Sequence, residues 1–381
     1  MTKHFRDDAA LTDPVPPTPA KTEIKKPGKK EPNKWFKQLS AYDDAVKYDY
    51  DSFAPENCLY TPSPYFNWIF ANKANGIPKN ASILFFSEPK AGKSLSIYAI
   101  IKEMQARDPE GISIYFNTEI RGQLQFEAIP GIDQQRSIIY DTNQPVEIFD
   151  RVENDIKAMV QDGMPLRMIS IDSLNGIMGV KRGDSDSVAN HLMGDQALTL
   201  KNGLGKLIPF CKRNNILLIG TAQMAANLDA GSYGPKEKMS ASWYTKHAFE
   251  YYVSLKRAGA AEDKQDIAGK TFEEDELKDA RGNKLLNGHK VYAKMEQSSI
   301  GQAGRAGVFT LSYDNGIINQ HEEIFWLGKN LGIITTPNNR TYTFEGETFN
   351  GKKECALAIR DNPSLAAAIL DEVRKLDIKK G

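Results

Sequence analysis

The sequence predicts an α/β protein built on a central, mainly parallel sheet, with an antiparallel extension and a small α+β unit toward the C-terminal end. Three observations predict it. Ser82 to Ile101 (SILFFSEPKAGKSLSIYAII) reads as an apolar strand, a tight loop and a helix. From there to Gly220, strand-like runs alternate with longer helix-like stretches, the pattern of a parallel sheet covered on both faces. After Gly220 the chain offers strand-like runs with no long helix between them, which fits antiparallel strands added to that sheet.

Taken in order, residues 1–34 are rich in Pro and Lys (PVPPTPAKTEIKKPGKKEP) and hold too few apolar side chains to bury a core, so they read as a disordered basic tail. Residues 35–64 form a linking segment. Trp35 to Tyr50 has the apolar spacing of one helix, and Asp51 to Pro64 is punctuated by Pro and Asn. Such a segment can pack on a neighbouring subunit or on its own core. The main core is expected over residues 65–320, with strands at Ile112 to Phe116, Ile138 to Tyr140, Met168 to Ile171 and Ile216 to Thr221. Its helices are expected at Pro145 to Gln161 and Val188 to Arg213. The strands without long helices follow at Phe249 to Lys256, Lys290 to Lys294 and Val308 to Tyr313. Between the first two lies Ala258 to Gly288, charged enough (FEEDELKD) to read as a solvated excursion. Residues 321–381 form the small C-terminal domain, with the strand-like RTYTF and a helix capped around Asn362-Pro363-Ser364.

Composition narrows the function. With 381 residues, 40% of them hydrophobic, the chain is long enough for one large core and a satellite. Lys plus Arg and Asp plus Glu number 49 each, so no overall positive field marks a nucleic-acid binder and any such contact is local. Cys58, Cys211 and Cys355 lie far apart, without zinc spacing, and read as reduced thiols. No apolar leader and no run of ~20 apolar residues is present, so a soluble cytoplasmic protein is expected, with no membrane partner.

The loop after the first strand matches G-x-x-x-x-G-K-[ST] except that Ser87 stands at the first position. A phosphate cradle needs backbone amides curled around oxygen, a Lys for the outer phosphates and a hydroxyl for Mg²⁺. Ser87, Glu88, Pro89, Lys90, Ala91, Gly92, Lys93, Ser94 and Leu95 supply that stretch, with Ser94 as the hydroxyl. The helix opening there adds its N-terminal amides and dipole. A nucleotide triphosphatase also needs a second Mg²⁺-side oxygen and a group to orient or deprotonate water. Asp172 ends the apolar run RMISID, where ligands of parallel sheets collect, and fits a Walker-B aspartate. Glu119 ends IYFNTE and can accept a proton from water, or simply cap a turn. Gln223 ends LLIGTAQ, where its amide can meet a terminal phosphate.

At these residues, and from about Leu59 to Leu376, the chain resembles the RecA family of recombinases, including the UvsX-like enzymes of phages. The resemblance implies a RecA-type ATPase core using ATP and Mg²⁺, with Glu119 as the water-activating glutamate, Lys93 and Gln223 as catalytic partners, and Ser94 and Asp172 on the metal. It implies that Phe126, in EIRGQLQFEAIPGID, stacks on adenine. It also implies two DNA loops, one around Gly179 to Ala189 and one from Met224 to Ser240. Lys181, Arg182, Tyr233, Lys236, Lys238 and Lys246 are the contacts to DNA, with backbone amides sharing the phosphates. WLGKNLGIITTPNNRTYTFEGETF and AIRDNPSLAAAILDEVRKL resemble the family's small C-terminal domain.

Two departures stand out: Ser87 replaces the first loop Gly, and Lys294-Met295-Glu296 carries only the first of two lysines that reach across the subunit interface in bacterial members. Lys256, Arg257 or Arg305 could compensate for the missing one, and the sequence does not choose among them. The implied activity is a DNA-dependent ATPase that forms filaments on single-stranded DNA and pairs it with homologous double-stranded DNA in recombination and repair. Single-strand-binding and loader proteins are its expected helpers, in the host cytoplasm if phage-encoded. Two alternatives stay open: a hexameric helicase-type motor on the same core, and a non-hydrolysing, nucleotide-dependent DNA-binding mediator.

Overall fold

The computed structural model describes residues 38, 54–70, 76–120, 131–180, 194–226, 237–240, 244–258, 267, 273–278, 284–299, 302–338 and 340–379. Its strands, in chain order, are β1 (Cys58–Leu59), β2 (Ile77–Pro78), β3 (Ser82–Ser87), β4 (Ile112–Asn117), β5 (Ser137–Tyr140), β6 (Leu166–Asp172), β7 (Leu217–Ala226) and β8 (Glu237–Met239). There follow β9 (Tyr251–Arg257), β10 (Glu273–Lys278), β11 (Lys284–Leu286), β12 (Gly288–Ser298), β13 (Ala306–Ser312), β14 (Gly316–Ile318), β15 (Thr341–Phe344) and β16 (Glu347–Asn350).

One sheet organises the molecule, in the order β14-β13-β12-β9-β3-β7-β6-β4-β5. From β9 to β5 all neighbours run parallel. Strands β12, β13 and β14 continue the sheet antiparallel beyond β9. The fold is therefore the mixed α/β class expected, with one correction. Tyr251–Arg257, read as the start of the antiparallel run, lies parallel to β3. The chain returns to it through β8 and the short helix Thr245–Ala248 rather than through a long crossover helix, so no helical periodicity signalled the change of direction.

Period-two burial explains how the strands stay in register. In β3, Ile83 and Phe85 join the cluster packed on the helix Lys93–Arg107, while Leu84 faces the opposite cluster with Leu204 and Leu207 of the helix Asp195–Arg213. In β7, Leu217 and Ile219 join the first cluster and Leu218 and Ala222 the second. A one-residue slip of either strand would turn both faces inside out, so the register is strongly specified.

The stretch expected to be one helix from Pro145 is helical throughout, with π-wound turns at Val146–Asp150 and Val152–Ile156 before the α-helical Lys157–Gln161. The helix expected from Val188 is described from Asp195 to Arg213, and its earlier part lies outside the described residues. The charged excursion carries a hairpin, β10 against β11. The tail 1–34 and nearly all of the helix expected at Trp35 to Tyr50 lie outside the described residues.

Beyond the sheet, the helices Gln320–Asn330, Lys352–Asp361 and Pro363–Lys379 and the hairpin of β15 and β16 gather around a separate cluster that includes Phe325, Tyr342, Ile359 and Ile369. Asn362 starts the last of these helices as expected, its Oδ1 accepting from the amides of Ser364 at 3.1 Å and Leu365 at 3.2 Å. The three cysteines are free and buried, and burial pushes the Cys58 and Cys355 thiols up to about 12. No helix among the described residues is long and apolar enough to cross a membrane.

Candidate active site

In a parallel sheet all the strand C-termini open on the same edge, and here β3, β4, β6 and β7 deliver their ends side by side. Ser87 of β3 pairs with Gln223 of β7, and Asn117 of β4 with Asp172 of β6. Glu119 follows two residues after Asn117. Four of the sequence-predicted positions thus meet at the same edge, with Ser87, Gln223 and Glu119 about two residues beyond the level of Asp172.

The turn out of β3 is shaped by Gly92, the residue preceding the helix Lys93–Arg107, whose φ of +98° lies in the left-handed region. A Cβ there would also come within 2.6 Å of Leu311 Cδ2, which would have to give way, but the left-handed φ alone favours Gly. Glu88, Pro89 and Lys90 are exposed at the loop tip, and Ala91 and Leu95 are buried beneath it. By helix geometry the first amides after Gly92 have no partner within the helix and are aimed at the loop's hollow.

Lys93 folds back on the loop, its Nζ donating to Ser87 Oγ at 2.8 Å and lying 3.4 Å and 3.3 Å from the carbonyl oxygens of Ser87 and Glu88. The serine in place of the usual glycine therefore gives the ammonium an acceptor. Burial lowers the Lys93 pKa, against the opposing charges of Asp172 and Glu119.

Asp172 is hydrogen-bonded on both carboxylate oxygens. Its Oδ2 accepts from Ser94 Oγ at 2.5 Å and from the Tyr115 hydroxyl at 2.6 Å, and its Oδ1 accepts from Thr221 Oγ1. Burial first, and the Asp172 charge second, hold the Tyr115 phenol well above its usual range, so it remains a donor. Glu119 is half-buried and receives two donors on one oxygen, Gln223 Nε2 at 2.7 Å and Ser173 Oγ at 2.8 Å. The backbone beneath is tied by Thr118, whose Oγ1 donates to the Ser173 carbonyl at 2.5 Å and whose amide donates to Asp172 O at 2.9 Å.

Sequence reasoning missed Tyr115, Thr221, Ser173 and Asn175. The first two carried a signal: each is a hydrogen-bonding side chain inside an apolar strand (ISIYFN, LLIGTAQ), and a buried hydroxyl needs a partner. Asn175 accepts the Gln223 amide on Oδ1 at 2.9 Å and donates through Nδ2 to the Ser240 carbonyl. Nothing local marked it.

The DNA-side residues are brought together less fully. Met224 to Ser240, expected as one loop, is a hairpin at its base, with Met224 paired to Met239 and Ala226 to Glu237. Tyr233, Lys236, Lys181 and Arg182, expected to contact DNA, and Phe126, expected at the adenine, lie outside the described residues. Lys238 lies on β8, and Lys246 is half-buried in the helix Thr245–Ala248. Lys294 does not project alone: it pairs at 2.7 Å with Glu296 two residues on, which also accepts from Ser254 Oγ at 2.8 Å. Of the proposed substitutes, Arg305 lies over the Trp68 ring at 4.7 Å and donates to the Trp68 carbonyl at 3.2 Å.

Comparison with known proteins follows the same lines. No family model matches the chain. Protein RecA of Paracoccus denitrificans is 22% identical over 303 residues, covering 78% of this chain and 76% of that protein. Protein RecA of Ruegeria pomeroyi is 20% identical over 302 residues and that of Legionella pneumophila 19% over 300, each covering 78% of both chains. The fold is a RecA-type α/β core, with a mainly parallel sheet, an antiparallel extension and a small α+β unit after it. Over most of its length the chain is similar, at low identity, to bacterial RecA proteins.

Proposed function

We propose that this chain is an ATP-hydrolysing recombinase of the RecA type, assembling on single-stranded DNA and exchanging it into a homologous duplex. The observation that carries the proposal is the joint placement of Lys93, Asp172, Glu119 and Gln223 on one sheet edge around a loop that opens a helix. The distant RecA relatives spanning most of the chain support the same reading.

The residues fit a nucleotide phosphate with Mg²⁺. Ser94 and Asp172 offer hard oxygen donors in contact with each other, the kind Mg²⁺ prefers. Among the described residues no group of three His, Cys, Asp or Glu side chains could hold an ion unaided, so an ion here would complete its shell with water and phosphate oxygens. Bound there, Mg²⁺ would supply charge neutralisation to the transferring phosphoryl group.

Lys93 leaves Ser87 to meet phosphate oxygens, exchanging a neutral acceptor for charged ones. Glu119 takes a proton from the attacking water, oriented by the hydroxyl of Ser173. Gln223, sharing the same Glu119 oxygen, reports the state of the site to the hairpin that begins at its own strand end. The core is assigned to residues 65–320 and the small C-terminal domain to residues 321–381. Of the linking segment 35–64, Leu59 and Ser63 are buried within this chain, with Ser63 donating to Glu323, so this part packs on its own core. Phosphate release from ATP, measured with and without single-stranded DNA, followed by strand transfer between circular single-stranded and homologous linear DNA, tests the proposal. Turnover unresponsive to DNA, with no joint molecules formed, would reject it.

A further inference from the structure

Gln223 touches two things at once: its side chain reaches Glu119, and its backbone opens the hairpin of β7 and β8. Besides its pairing with Ser87 of β3, that backbone is held by a side chain from another strand end. Asn175 lies three residues after Asp172, within a short turn, Leu174–Gly176, and is half-buried. Its Oδ1 accepts from the Gln223 amide at 2.9 Å, while its Nδ2 donates to the Ser240 carbonyl and lies 3.3 Å from Ser240 Oγ. The two residues it holds are the feet of the hairpin and bond to each other, Ser240 N donating to Gln223 O at 2.8 Å. Asn175 is itself held from behind, because Gln196 Nε2, at the start of the long helix, donates to the Asn175 carbonyl at 3.1 Å and to the Ile177 carbonyl at 2.6 Å.

We infer that Asn175 is a positioning residue that clasps both feet of the hairpin to the Asp172 strand end, so that a shift of Gln223 toward or away from Glu119 moves β8 with it. The inference rests on the proposed reading of this edge as an ATPase site and adds to it the part that carries the signal. A primary amide serves both feet, since its oxygen accepts from an N–H and its nitrogen donates to a C=O. An Asp keeps the acceptor for Gln223 and sets an oxygen against the Ser240 carbonyl, and an Ala removes both bonds.

Linkage gives the expected result. If the clasp transmits between nucleotide and hairpin, breaking it lowers the effect of DNA on ATP turnover and the effect of nucleotide on DNA affinity together. The test uses the full-length protein and its Asn175→Asp and Asn175→Ala variants. Three quantities are measured: ATP turnover with and without single-stranded oligonucleotide, oligonucleotide affinity with and without a non-hydrolysable ATP analogue, and amide exchange of the wild type with and without that analogue. In both variants the DNA-stimulated to basal turnover ratio and the analogue-induced gain in affinity are expected to fall about fivefold or more. In the wild type the amides of Gln223 and Ser240 are expected to change protection together. A merely structural role would lower basal and stimulated turnover equally and leave their ratio intact. Retention of both ratios in the variants, or protection that changes at one foot and not the other, overturns the clasp while the ATPase reading stands. Absence of turnover and of nucleotide-dependent DNA binding in the wild type overturns the ATPase reading and the clasp with it. The wild-type exchange measurement keeps the inference open to refutation even if a variant does not fold.

Discussion

Two buried carboxylates, one at the sheet edge and one beneath the C-terminal unit, both accept hydrogen bonds from serine hydroxyls and are put to opposite uses. Asp172 ends β6 and is met on both oxygens by hydroxyls from three other elements, Ser94, Tyr115 and Thr221. Glu323 lies on the inner side of the helix Gln320–Asn330, where one oxygen takes the Ser63 hydroxyl and the Tyr65 amide at 3.1 Å. Its other oxygen has no hydrogen-bond partner among the described residues. Burial, with a smaller contribution from Glu322, pushes the Glu323 carboxyl well above its usual range, against the lowering pull of its two donors. Donors on one side of a carboxyl with its other oxygen buried favour the protonated acid. The arrangement at Asp172 is exchangeable and faces an open edge. That at Glu323 pins the segment before β2 to the C-terminal unit.

The comparison is broken most severely at the loop. Lys93→Ala removes the one ammonium that reaches into the loop opposite Asp172 among the described residues, and ATP turnover is expected to fall ~10³-fold or more. Steady-state phosphate release checks this, and near-normal turnover would move the phosphate site elsewhere. Next comes Glu119→Gln, expected to leave nucleotide binding in place and slow hydrolysis ~10²-fold. Fluorescent-nucleotide titration beside turnover separates the two, and equal loss of both would make Glu119 a structural group.

Smaller effects sharpen the contrast between the two carboxylates. Tyr115→Phe deletes one of the donors on Asp172 without changing the ring that packs on Tyr98. The divalent-ion concentration giving half-maximal turnover is expected to rise ~10-fold, the usual scale for losing a partner of a metal-side ligand. An unchanged metal dependence would show that the hydroxyl serves packing alone.

Glu323→Gln acts only on stability. The folded state holds a proton on Glu323 that the unfolded chain releases above its ordinary value of 4.5. The unfolded state therefore binds fewer protons, and stability contributed by this group is full below that value and declines as pH rises toward the folded pKa. The slope is at most about 1.4 kcal/mol per pH unit. Urea unfolding midpoints between about pH 5 and pH 7 should show a flatter dependence in the variant than in the wild type, with ATP turnover unaltered. A wild-type slope that persists in Glu323→Gln would assign the titration to another group.

The elements legible in the sequence were those set by local physics. Short apolar runs marked β3, β4 and β6, and the stretch after Gly92 read as a helix, because each depends on neighbours a few residues away. The tight loop from β3 into the helix was legible because a left-handed glycine at Gly92 is a local requirement. Glu119, Asp172 and Gln223 were legible as strand-end polar residues, since parallel strands must open on a common edge.

What only the tertiary structure decided depends on pairs remote in sequence. The parallel sense of β9 followed from where the chain re-entered the sheet, which a short connection does not announce. The Tyr115 and Thr221 bonds to Asp172 depend on which strands are neighbours, and the Asn175 clasp depends on the return of the hairpin 65 residues later. Glu323 finds Ser63 across 260 residues. Hydrogen-bonding side chains advertise a need for partners by their chemistry, but distance and direction choose the partner, and those exist only once the sheet has closed over its helices.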